Sequence, residues 1–191
     1  EVLRAHGLRL IETGGAWSGE VGTYRCEVTG WLLRPFEGRQ VLFRAGGEVS
    51  PAAGEPGVSC RPVRERLTFP DASVIVPLDQ RSAKVAIHLL EPEGPDSAVA
   101  WGFFNAIFEP KEYAEPYVME TIARDMLRED PGLRAEFEKR LASDPAFAAD
   151  PAARLEFFYR RSPWWDGRLG LYPVGRLDTL EGLPVAKEGG R

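Results

Sequence analysis

Pro95 to Tyr117, PDSAVAWGFFNAIFEPKEYAEPY, constrains this chain more than any other stretch, because it carries Trp101, Phe103, Phe104, Ile107, Phe108, Tyr113 and Tyr117. That much ring surface must be covered, since a buried aromatic removes on the order of 150–250 Å² from water. The periodicity of the chain also changes here. Apolar residues upstream alternate as in short strands, and downstream they recur every three or four as in helices. Fourteen of the twenty aromatics lie between Trp101 and Tyr172, so burial potential is concentrated on the later side of the junction.

Upstream, Val2–Ile11 opens on a turn and ends in LRLI, where Leu8 and Leu10 alternate with Arg9. Glu20–Leu33 reads as a strand with Tyr24, Cys26 and Val28 on one face and Thr23, Arg25 and Glu27 on the other. Arg39–Arg44, with Val41 and Phe43, reads as a second, and Gly46–Gly57 as a loop rich in Gly and Pro. Val58–Phe69 is a third strand, at whose Pro62 an edge or bulge is expected. Ser73–Pro77 and Lys84–Leu90 follow, the latter with Val85, Ile87 and Leu89 on one face. Short strands joined by turns predict an antiparallel sheet or sandwich rather than βαβ units.

Downstream, Asp96 or Ser97 is placed to cap a helix running to about Phe108 and stopped by Pro110. Pro116 suits the first turn of the next helix, where Val118, Ile122 and Met126 recur every four residues beside Met119, Ala123 and Leu127. Asp130-Pro131, Asp144-Pro145 and Asp150-Pro151 each set a capping carboxylate before a residue whose missing N–H is harmless in a first turn. Leu133, Phe137 and Leu141 form one stripe, and Leu155, Phe158 and Tyr159 another. The expected fold is α+β: a β-rich part over 1–92 and a helical part over 93–191, making one structural unit. Short helices have little core of their own. They are therefore expected to pack on the strands, the helix bearing Trp101, Phe104 and Phe108 meeting Val85, Ile87 and Leu89.

The 191 residues are enough to bury a core, and the net charge of −5 argues against nucleic acid as a principal partner. No apolar run approaches the roughly 18 residues that span a bilayer. The chain opens on Glu1 without a leader, as expected of a processed form or an excised fragment.

No catalytic constellation emerges. His88 and Glu91 have the HxxE spacing of two zinc ligands, but the only other histidine, His6, lies far upstream, so a surface pair is the expectation. There is no G-x-S-x-G and no Gly-rich phosphate loop. Glu109, Glu112 and Glu115 read as a solvated connection beside Lys111. Cys26 and Cys60 are too few for a zinc site. Buried free thiols are preferred to a single bridge between them. Arg160, Arg161, Trp164 and Trp165 are the most suggestive surface, two arginines beside two tryptophans that could anchor an interface or a ligand, or close the helical core.

SVIVPLDQRSAKVAIHLLEPEGPDS, WGFFNAIFEPKEYAEPYV, FFYRRSPWWD and LGLYPVGRL resemble the region that follows the catalytic domain in large bacterial zinc carboxypeptidases of the carboxypeptidase A type. The resemblance runs nearly continuously from Ser73 to Leu177. It implies a periplasmic or secreted protein, zinc in the parent's catalytic domain and none here, and the catalytic domain of the same polypeptide as partner. It also places His88 and Glu91 outside the catalytic motif. The expectation is a non-catalytic accessory domain, at least one of whose tryptophans Trp164 and Trp165 stays partly exposed as the docking surface. An independent β-sandwich module binding glycan or peptide is the alternative. A periplasmic home would permit a Cys26–Cys60 bridge.

Overall fold

The strand read over Glu20–Leu33 is realised as a twelve-residue strand at Trp17–Val28. The computed structural model describes residues 1–32, 34–42, 57–94, 96–110 and 115–185. Two units are distinct: Glu1–Glu109 with Arg168–Arg191, and Pro110–Gly167. The division thus falls within the aromatic stretch, after Glu109, rather than at residue 92, and the chain returns to the first unit at its end.

In the first unit, α1 (Val2–Ala5) precedes β1 (Ile11–Glu12), β2 (Trp17–Val28), β3 (Val58–Phe69), β4 (Val74–Ile75) and α2 (Ala83–Leu90), followed by a 3-10 turn at Asn105–Phe108. β2 pairs antiparallel with β3 from Trp17↔Phe69 to Val28↔Val58, and β1 with β4 through Ile11↔Ile75. These are two separate two-stranded sheets, and no sandwich closes among the described residues. The free edge of β2 is covered by the returning C-terminal segment. Gly22 and Arg176 exchange backbone hydrogen bonds, Tyr172 N–H donates to the Tyr24 carbonyl, and Cys26 N–H donates to the Gly170 carbonyl. Even-numbered residues of β2 therefore turn their backbone toward 170–176. Pro62, opposite Tyr24, has its nitrogen facing away from β2, so its missing donor removes no ladder bond.

The core of this unit joins buried Cys26, Leu42, Val58, Val99 and Tyr172, with half-buried Phe104, Ile107 and Phe108 packed against them. The aromatic stretch does cover the strands, but not as a continuous helix. Ser97 Oγ accepts from Ala100 N–H, capping one turn. Gly102, at φ +75°, then ends that turn, its N–H donating to Val99 and the Phe103 N–H to Ala98. The Lys84–Leu90 strand expectation is also corrected, because these residues lie in α2. Ala86 is buried while Ile87 is exposed, which is a helical stripe rather than alternation. Val41 and Leu42 are both buried in an irregular segment, so no alternating strand runs through them, and Phe43, Arg44 and most of the Gly46–Gly57 loop lie outside the described residues.

The second unit is four helices: α3 (Pro116–Glu129), α4 (Pro131–Ser143), α5 (Pro145–Ala149) and α6 (Pro151–Tyr159). Every Asp-Pro pair does what its chemistry dictates. Asp130 accepts from the N–H groups of Gly132 and Leu133, Asp144 from Phe147, and Asp150 from Ala152 and Ala153. Asp150→Ala is expected to cost about 1 kcal/mol, and Asp150→Asn much less, read as shifts of the urea midpoint. The expectation that these helices lack a core is overturned. Met119, Ala123, Leu133, Phe147, Phe157, Phe158 and Tyr159 form a buried cluster of their own, ringed by Ile122, Met126, Phe137, Leu141 and Trp165. Short helices suffice because Phe137 meets the rings of Phe147, Phe157 and Phe158 at centroid distances of 5.9, 5.4 and 4.7 Å.

Candidate functional site

The four residues singled out at the end of α6 separate into different roles. Arg161 is turned along the helical unit. It donates to the Phe157 carbonyl at 2.9 Å and to Glu136 at 2.6 Å, tying α6 to α4, with its guanidinium 3.8 Å from the centre of the Phe157 ring. Trp165 packs edge-on against Tyr159 at 5.4 Å and joins the rim of the helical core. Arg160 pairs with Glu156 at 2.8 Å and lies 5.3 Å from the Trp165 ring. Of the two tryptophans, Trp164 faces solvent, with 59% of its surface exposed, and the Arg160 side chain is exposed as well. A Tyr159–Ser162 turn, with the Ser162 and Trp165 N–H groups donating in succession to Tyr159 and Ser162, sets the two indoles apart.

In the first unit, Cys26 and Cys60 form a disulfide, with Cα atoms 4.0 Å apart, so the free-thiol expectation is corrected. Their pairing follows from register. Cys26 N–H is directed to Gly170 and Cys60 N–H to the Glu93 carboxylate, so neither bonds across the ladder. Such non-hydrogen-bonded pairs bring side chains closest together.

His88 and Glu91 do not act as a pair. His88 lies 3.9 Å from Asp96, both exposed, whereas Glu91 is held by Arg176 at 2.5 and 2.7 Å and accepts from the Tyr24 hydroxyl at 2.9 Å. No group of three or more His, Cys, Asp or Glu side chains is placed to hold a metal among the described residues. Nor is any helix among them long and apolar enough to cross a membrane. Glu109 and Glu115 are exposed, and Glu112 lies outside the described residues.

The Tyr24–Glu91–Arg176 cluster escaped sequence reasoning, since its members come from β2, the end of α2 and the returning segment. Arg176 also donates to the Tyr24 hydroxyl and lies 4.7 Å from the centre of the Tyr24 ring. Beside it, Tyr172 is 1% exposed and donates to the Leu90 carbonyl at 2.9 Å. Burial pushes the Tyr172 hydroxyl far above the ordinary tyrosine value, with the Glu91 charge adding to it. Burial, then the bond to Glu91, raises Tyr24 as well. Elsewhere on the ladder, the bidentate bond from Arg25, 2.7 Å to each oxygen, lowers Glu65 below the usual carboxylate range.

The two tyrosines fix a pH dependence. Above about pH 10 the unfolded chain releases tyrosine protons that the folded chain keeps, so the folded state binds more protons and stability falls as pH rises. Urea midpoints are expected to drop between about pH 9 and 11, and to drop less in Tyr172→Phe, which has no proton to release.

No family model, curated protein or solved structure matches this chain. Its residues therefore carry the functional reading.

Proposed function

We propose that this chain is a non-catalytic C-terminal accessory domain of a secreted or periplasmic zinc carboxypeptidase of the carboxypeptidase A type. It flanks and stabilises a catalytic domain that would carry the zinc. The observation that bears most weight is Trp164. The helical unit closes its own apolar cluster, and Trp165 joins its rim under Arg160, yet Trp164 is left 59% exposed. A large indole left in solvent has the composition of an interface anchor. Two further points support the reading: the resemblance spanning Ser73–Leu177, and the Cys26–Cys60 disulfide, which suits an oxidising compartment.

A second reading, a module that binds glycan or peptide, draws on Phe103, which is exposed with the Arg39 guanidinium 3.5 Å from its ring centre. Producing the parent enzyme with and without this segment separates the two. An accessory domain raises the soluble yield and slows thermal inactivation of peptidase activity. A binding module leaves both unchanged and alters where the enzyme or its substrate is held.

A further inference from the structure

Gly22 leaves a gap in the side chains on one face of the β2–β3 ladder, and both of its cross-strand neighbours are arginines. Gly22 opposes Arg64 on β3 and Arg176 on the returning segment, so the three make one row. Opposed residues of antiparallel strands project to the same face, so two guanidinium stems flank a position with no side chain. Between them lies an open hollow of about 280 Å³ lined by Gly22, Thr23, Pro62, Val63, Arg64 and Arg176.

Each guanidinium is steadied by a carboxylate and keeps donors in reserve. Arg64 donates through Nε to Glu20 at 3.0 Å, and its two Nη nitrogens meet no acceptor among the described residues. Arg176 donates through Nη2 alone, to Glu91 and Tyr24, which leaves Nε and Nη1 without an acceptor there. Both side chains are more than half exposed. Arg66, opposite Glu20 in the next row, adds a third positive charge to a face on which Glu20 and Glu91 are already engaged.

We propose that this hollow binds a small dicarboxylate, one carboxylate on each guanidinium. A planar guanidinium fork with adjacent free N–H groups matches a carboxylate. Two strand spacings, roughly 10 Å between the Cα atoms of Arg64 and Arg176, suit two carboxylates on a short chain better than one alone. The same chemistry is offered by a free dicarboxylic acid and by the C-terminal glutamate of a peptide, whose main-chain and side-chain carboxylates are a few bonds apart.

The test is an amide-resolved NMR titration of the full chain with glutarate, with a short peptide ending in glutamate, and with that peptide amidated at its C-terminus. Saturable shifts centred on Gly22, Thr23, Val63 and Arg64 are expected with glutarate or the free-acid peptide, and the more effective of the two identifies the source. The amidated peptide should be weaker. Gly22→Val fills the floor of the hollow while folding normally. A Cβ there meets Arg176 Cβ at an ordinary 3.8 Å, the backbone is not left-handed, and β-branched residues favour strands. Both Gly22→Val and Arg64→Gln should weaken binding by about tenfold or more. Arg64→Gln decides the matter if the valine variant misfolds. The proposal is overturned by the absence of saturable shifts with either probe, by binding that folded variants leave unchanged, or by equal shifts with inorganic phosphate.

Discussion

Phe158→Ala is expected to remove about 3–5 kcal/mol and to melt the helical unit before anything else in the chain. Phe158 is 3% exposed, and its ring lies 4.7 Å from Phe137 and 5.1 Å from Phe157. Phe137 and Phe157 also contact Phe147, so truncating Phe158 opens a cavity against the two rings that hold this network of four together. The surrounding helices are short and fixed at their starts by proline and aspartate, so they can collapse only partly into the void. A unit this small holds no more than several kcal/mol in all. Amide exchange is the measurement: protection across α3 to α6 should fall to near that of the unfolded chain, while β2 and β3 keep theirs. Phe108→Ala is expected to cost less than the core-like 3–5 kcal/mol that its place in the aromatic stretch suggests, because Phe108 is only half-buried at the end of a 3-10 turn.

Removing the Cys26–Cys60 bridge is expected to cost about 3–4 kcal/mol, the loop-closure entropy of a crosslink across 34 residues. The bridge closes the long connection between β2 and β3 at the end of the ladder nearest the core, where Cys26 is buried with Val58 and Tyr172. Without it, two twelve-residue strands must find a register whose partners are separated by that whole connection. Denaturant midpoints of the oxidised chain with and without reductant, alongside Cys26→Ala/Cys60→Ala, measure the effect. Reductant should lower the midpoint of the native chain to near that of the double variant and leave the variant unmoved. Equal midpoints in all four samples would exclude a bridge that constrains the fold.

What the sequence disclosed was local. Asp130, Asp144 and Asp150 cap their helices because a cap needs only the next three residues, and Val58–Phe69 forms a strand with the expected bounds. Val85, Ile87 and Leu89 misled because in a window so short a half-buried helix also produces alternation, and β-branched residues tilt the reading toward strand. Gly102 was legible as a small residue but not as the left-handed stop that divides the aromatic stretch. The returning segment was beyond reach: Thr23 donates to the carbonyls of Tyr172 and Val174 across about 150 positions, and no pattern in either segment announces the other. The same holds for Glu91 and Arg176, and for the Arg64–Gly22–Arg176 row. Among the candidate surface residues, two adjacent tryptophans look alike in sequence. The turn after Tyr159 is what sends Trp165 to the core and Trp164 to solvent.

Titrating the chain with the catalytic domain of a zinc carboxypeptidase of the proposed type, with tryptophan emission as the readout, bears most directly on the accessory-domain reading. The expected result is a saturable blue shift with protection from soluble quencher, as the exposed Trp164 passes from water into an interface. Trp164→Ala should abolish that response while its own unfolding midpoint stays within about 0.5 kcal/mol of the native chain, as befits a side chain outside the core. No saturable change, or an undiminished one in Trp164→Ala, would contradict docking through this residue.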